Sequence, residues 1–156
     1  MKTPPGQESL FPSEACKRPT LLFSIHNHYA ELILSGKKDV ELRRRFGPYG
    51  SGCKMLIYAT QPIAAVVGYT QIENVDRLPL EELWNRYGKR ASITKADFMR
   101  YFDGVDEGCA ILLTRPKRYA APIRLDEMRS THGLNAPQSY VVLREAHRDL
   151  IDHEQG

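Results

Sequence analysis

The sequence is short of the features that would place it in several functional classes. It has three cysteines, Cys16, Cys53 and Cys109, far apart, odd in number and with no C-x-x-C pair. A reduced, cytoplasmic protein is the expectation. No apolar run approaches the ~20 residues that span a bilayer, and the opening MKTPPGQESLFPSEACKRP lacks the apolar stretch of a signal peptide. No membrane partner is expected. The G-x-S-x-G, P-loop and dinucleotide fingerprints are missing, so no cofactor is expected. Strong charge of one sign is missing too: 22 Lys and Arg against 19 Asp and Glu leave a net charge of +3. Any attraction to nucleic acid must therefore come from local clustering of cations.

What is present is an ordinary globular composition, 42% hydrophobic and 26% charged over 156 residues, which suits one domain. Residues 1–19 are rich in Pro, Ser and Gly without periodicity and read as a tail. The domain is expected over 20–143, followed at 144–156 by a tail that can form a short helix anchored by Leu150 and Ile151. Short runs with Val, Ile or Tyr, bounded by Gly or Pro, predict strands over 20–25, 40–45, 54–60, 63–75, 110–115, 123–125 and 140–143. Helices are predicted over 27–34, stopping at Gly36, over 80–87, and from a Thr94 cap onward with Phe98, Tyr101 and Phe102 toward a core. Strands dominate and are mostly too short for a βαβ succession. The expected fold class is α+β, a small mixed β-barrel with peripheral helices.

The densest charge lies in GKKDVELRRR, residues 36–45. Alternation in a strand sends Val40 and Leu42 to the core and puts Asp39, Glu41, Arg43 and Arg45 on the other face. Such a face is ordinarily just solvated. At the start of the first helix, Ser24, His26 and Asn27 sit where free backbone N–H groups and the helix dipole favour an anion, although Ser24 or Asn27 can equally be a plain N-cap. His26 and His28 form an H-x-H at a strand–helix junction, with no third ligand nearby, so no metal site is expected.

Gly36, Lys38, Glu41 and Arg43 spell G-x-K-x-x-E-x-R. With LIYATQPIAAVVG at 56–68, ELW at 82–84, F-x-x-YF-x-G at 98–104 and PQSY at 137–140, the chain resembles the longer bacterial and archaeal members of the ASCH family, a branch of the PUA-like superfamily. The resemblance covers about residues 20–143. It implies a PUA-like barrel with a ligand cleft between barrel and first helix, and RNA, a nucleotide or a modified nucleoside as partner.

On that reading the charged face of the second strand lines the cleft. Arg43 and Arg45 offer planar donor forks for phosphate or a base edge, and Lys38 is a compact charge that can act as acid or base when desolvated. Glu41 either holds Arg43 in position or accepts from an exocyclic amine. Tyr58, Thr60, Gln138 and Ser139 are further polar candidates. Two functions stay open. One is a binding module for RNA or a nucleotide. The other is a hydrolase, a ribonuclease or an N4-acetylcytidine amidohydrolase-like enzyme, using Lys38 and Glu41. Family deacetylases use a Lys, a Thr nucleophile and a Glu; their Thr falls where this chain has Glu41, which removes the hydroxyl unless Thr60 or Ser24 replaces it.

Overall fold

The computed structural model describes residues 18–155; the expected tail lies almost wholly outside them. Six strands form one mixed sheet: β1 (Thr20–Ile25), β2 (Val40–Arg43), β3 (Lys54–Ala59), β4 (Ala65–Pro79), β5 (Glu107–Arg124) and β6 (Tyr140–Val142). Their order is β2-β5-β4-β3-β1-β6. The β1/β3 pair is parallel and the other neighbours are antiparallel. Among the described residues, five α-helices accompany the sheet: α1 (Asn27–Leu34), α2 (Leu80–Tyr87), α3 (Lys95–Tyr101), α4 (Leu125–His132) and α5 (Arg148–Ile151).

The sheet curls into a half-barrel. Its inner face gathers Leu21, Phe23 and Ile25 of β1 with Met55, Ile57 and Ala59 of β3, and α1 plugs it with Ala30, Ile33 and Leu34. The intervening residues point outward. Leu22 and Leu56 pack there with Met128 of α4 and with Leu150 and Ile151 of α5. Because both faces are covered, β1 and β3 read as nearly unbroken apolar runs. A third cluster lies outside β2, where Val40 and Leu42 meet Leu83 and Tyr87 of α2, Phe98 of α3 and Phe102, the residue that caps α3.

Two strand expectations need correction. Residues 63–75 were expected as one strand, but 60–64 form a turn with a cis Gln61–Pro62 bond and Ala64 at positive φ; β4 begins at Ala65 and runs on to Pro79. The separate strands expected at 110–115 and 123–125 are one strand, β5. Pro116, which suggested a break, sits with Arg115 in a bulge opposite Thr70. β2 pairs only with Cys109–Leu112, so the missing N–H of Pro116 costs no ladder bond on that side.

The half-barrel is left open between its edge strands, β2 and β6. Side chains bridge the seam. Arg43 of β2 donates from Nη2 to Ser24 O of β1 at 3.2 Å and from Nη1 to Ser139 Oγ, just before β6, at 2.9 Å.

Candidate functional site

The turn after α1 brings the first site residue inward. Gly36 takes φ +85°, a conformation that L side chains rarely adopt, and the N–H groups of Lys37 and Lys38 both return to Leu32 O. The chain then extends, and Lys38 points into the protein at 4% exposure. Its Nζ donates to Ala91 O at 2.6 Å, lies 3.6 Å from Glu41 Oε1 and stands 4.8 Å from the centre of the Tyr29 ring. Burial pulls the Lys38 pKa below the ordinary lysine range, although Glu41 pulls it the other way.

Alternation in β2 sets the next two. Glu41 pairs in register with Ile111, an inner-face residue, so it looks into the half-barrel while Val40 and Leu42 look outward under the helices. Its carboxylate is shared: Oε1 faces Lys38 and Oε2 accepts from Arg43, with Nη2 at 3.0 Å and Nε at 3.1 Å. The Arg43 guanidinium lies over the Phe23 ring at 4.8 Å. Two cations thus share one carboxylate. With Lys38 protonated, the trio carries one net positive charge in a poorly hydrated place.

Above it opens a cleft of about 250 Å³ lined by Ser24, Ile25, His26, Tyr29, Lys38, Glu41, Leu42, Arg43, Ile93 and Tyr101. Tyr29 and Tyr101 have raised phenol pKa values, in both cases chiefly from burial, so they are hydrogen-bond donors at neutral pH. His26 is the N-cap of α1, its Nδ1 accepting from the His28 N–H at 3.4 Å. The expected cap at Ser24 or Asn27 is therefore shifted. Asn27 is the first residue of α1 and does not border the cleft. Ser24 does, but its hydroxyl donates to Pro137 O at 2.5 Å.

The expected set is thus divided. Ser24, His26, Lys38, Glu41 and Arg43 come together, and Ser139 joins them at the rim through Arg43. Arg45 does not: β2 ends at Arg43, alternation stops there, and Arg45 borders a neighbouring hollow. Tyr58 points to the outer cluster, because Ile57 and Ala59 take the inner face. Thr60 lies beyond the end of β3, its N–H donating to Ile25 O, and the exposed Gln138 does not border the cleft. The sequence reading missed Tyr29, Ile93 and Tyr101. Tyr101 was expected toward the core with Phe98 and Phe102; it lies on the flank of that face, three residues from Phe98, and there it is exposed and borders the cleft.

Residues 19–144 match the family model described as Domain of unknown function (DUF365). Over 129 residues the chain is 33% identical to an "ASCH domain-containing ribonuclease" of Zymomonas mobilis subsp. mobilis, covering 82% of this chain and 86% of the relative. The chain belongs to the ASCH domain family. The crystal structure of ASCH from Zymomonas mobilis superposes on this ASCH chain with a TM-score of 0.81 at 31% identity, covering 86% of this chain and 95% of that one. Human THYN1 protein, solved in complex with 5-methylcytosine containing DNA, superposes with a TM-score of 0.52 at 12% identity, over 85% of this chain and 95% of that one. That likeness is one of fold alone; together with the Zymomonas ASCH structure it agrees with the expected α+β, PUA-like fold class, here as a half-barrel. Among the described residues, no helix of this ASCH chain is long and apolar enough to cross a membrane.

Proposed function

We propose that this chain binds single-stranded RNA, with one nucleotide seated in the cleft between α1 and β2. The observation that carries this reading is the pair of cations, buried Lys38 and part-buried Arg43, sharing one carboxylate beneath aromatic walls. An anion restores the balance, and Tyr29, Tyr101 and His26 offer faces on which a base can stack. At about 250 Å³ the cleft falls below the roughly 300–1,000 Å³ of sites that enclose a whole drug-sized ligand. It suits one unit of a longer chain. The nucleic-acid associations of the Zymomonas relative and of THYN1 support the same class of ligand. The buried free thiols of Cys53 and Cys109 suit a reducing compartment such as the cytoplasm.

The role of Arg43 differs from a direct phosphate clamp. Nε and both terminal nitrogens already serve Glu41, Ser24 and Ser139, so Arg43 contributes mainly charge and holds the Ser139 hydroxyl at the rim. Direct contacts fall to that hydroxyl, the two phenols and His26.

A second reading, RNA cleavage, is favoured by the name of the Zymomonas relative and by the lowered pKa of Lys38 beside Glu41. In that reading the ribose 2′-hydroxyl attacks the adjoining phosphorus and the P–O5′ bond breaks. The 2′ proton passes to a base and the leaving 5′ oxygen takes a proton from an acid, the exchange running through the Lys38–Glu41 pair. Deacetylation of a modified nucleoside has less support. Glu41 replaces the threonine nucleophile, Thr60 lies away from the cleft, and the Ser24 hydroxyl is committed to Pro137 O.

The test is fluorescence anisotropy of a labelled eight-nucleotide RNA over a salt series. Log Kd should rise linearly with log salt, by roughly 0.7 per phosphate neutralised, and Tyr101→Ala should cost about 1–3 kcal/mol through lost stacking. Binding indifferent to both salt and Tyr101 would contradict the reading.

A further inference from the structure

The end of β2 aims Arg43 into the cleft and sends its two successors elsewhere. Arg44 and Arg45, with Arg77 of β4, border a separate hollow of about 290 Å³, in which Glu107 is the one carboxylate-bearing residue. None of these three arginines forms an ion pair among the described residues. This is unlike the cations of the cleft, which share Glu41. Three arginines around one small space repel one another, and Glu107 offsets at most one of them.

Two of the three are fixed in place by main-chain carbonyls. Arg44 Nη1 donates to Tyr101 O and Asp103 O, both at 3.0 Å. Arg77 Nη2 donates to Phe46 O at 3.2 Å and to Gly47 O at 2.7 Å, pinning the segment that leaves β2. Each is held through a single terminal nitrogen, so the remaining donors of both forks stay available. Arg45 makes no side-chain hydrogen bond among the described residues, and its whole fork is available. Arginine forks held in advance and lacking a carboxylate partner suit the oxygens of a phosphate.

The hollow and the cleft are joined through the contact of Arg44, which borders the hollow, with Tyr101, which borders the cleft. The Tyr101 side chain lines the cleft, while its backbone carbonyl holds Arg44 and its hydroxyl accepts from the Arg44 N–H at 3.3 Å. A strand with one nucleotide in the cleft, passing over Tyr101, meets the three arginines next. We infer that this hollow binds a phosphodiester group of the RNA flanking the nucleotide held in the cleft. The inference rests on the RNA-binding reading above, and adds a second contact point and a direction of travel for the strand.

Arg45 gives a clean test, because its side chain supports nothing else in the fold. Octauridylate binding is followed by anisotropy, and uridine monophosphate binding by amide shifts in NMR, for the wild type, Arg45→Ala and Arg45→Glu. Arg45→Ala should weaken octauridylate binding roughly tenfold, the equivalent of one charge-assisted hydrogen bond, and Arg45→Glu should weaken it further. The slope of log Kd against log salt should fall by about 0.7, the share of one phosphate contact on a single strand. Uridine monophosphate, which reaches only the cleft, should bind all three proteins equally. A wild type that binds octauridylate with both variants unchanged, or a parallel loss for uridine monophosphate, would overturn the hollow and leave the cleft reading standing. A wild type that binds neither ligand would overturn both.

Discussion

Two lysines in this chain are built alike and placed differently. Lys38 and Lys54 are each partly or wholly desolvated, with burial pulling both pKa values below the ordinary lysine range. Each donates to a backbone carbonyl, Lys38 to Ala91 O and Lys54 to Ile151 O. Each stands over a tyrosine, Lys38 over Tyr29 at 4.8 Å and Lys54 over Tyr69 at 4.2 Å. The difference lies in what surrounds them. Lys54 also bonds Gln155, so its ammonium fastens the C-terminal segment to β3. Beside it, Glu154 accepts from the N–H groups of Ala120 and Ala121, completing a clasp. Lys38 instead faces a carboxylate it must share with Arg43, at the floor of an open cleft. A desolvated lysine with a carbonyl and an aromatic ring is thus a structural device by default. Lys54 also borders a hollow, of about 390 Å³, so what separates Lys38 is the carboxylate it shares with Arg43, and we propose that this pairing makes Lys38 the functional lysine.

The largest expected effect that sharpens this contrast is on chemistry. If the chain cleaves RNA, Lys38→Met should lower turnover by about 10²–10⁴, while Lys54→Met leaves turnover unchanged. Product analysis on a short RNA decides it, and equal losses would erase the distinction. Next comes Glu41→Gln, which takes the carboxylate from buried Lys38 and part-buried Arg43. Breaking a buried pair from one side costs about 3–5 kcal/mol, so urea unfolding should show a loss near that size. Adding Lys38→Met to Glu41→Gln should recover part of it, since one of the stranded charges is then gone. Smaller again is Lys54→Met, which should cost about 1–2 kcal/mol and accelerate amide exchange over residues 145–155 without altering RNA affinity.

The smallest effect is on the pH profile of stability. Both lysines have lowered folded pKa values, so between those values and the unfolded value near 10.4 the unfolded chain holds more protons. Stability therefore rises with pH through that window. The raised phenols of Tyr29, Tyr58, Tyr87, Tyr101 and Tyr119 act oppositely above about 10, and the raised thiol of Cys109 offsets part of the climb from about 8.5. Thermal melts should show a climb on the alkaline side of neutrality that turns down near 10, and either Lys→Met substitution should flatten the climb.

Much of the architecture was legible, because local signals and tertiary packing agree there. β1, α1 and α2 occupy the expected ranges, and α3 starts at its Thr94 cap, which accepts from the Asp97 N–H. The readings failed where pairing overrides local signals. Pro116 reads as a strand break, yet β5 carries it in a bulge beyond the end of β2. α4 was passed over although its cues are present: Asp126 and Glu127 in the first turn, Arg129 and His132 in the last, and Gly133 in the left-handed conformation after it. In the site, alternation along β2 placed Glu41 and Arg43 opposite Val40 and Leu42. It did not reveal that both faces are covered, with α2 and α3 packing over the apolar side and the charged side turned into the half-barrel. Arg45 was assigned by extending that alternation past the strand's end, and Tyr58 by its polar hydroxyl rather than its parity in β3.

The contrast between the two lysines is tested most directly by mapping amide shifts of the ¹⁵N-labelled chain on adding octauridylate. The account predicts shifts at His26, Tyr29, Lys38, Arg43, Tyr101 and Ser139, extending to Arg45, with Lys54 and residues 145–155 unmoved. Shifts centred on the C-terminal clasp, with the cleft residues silent, would contradict it.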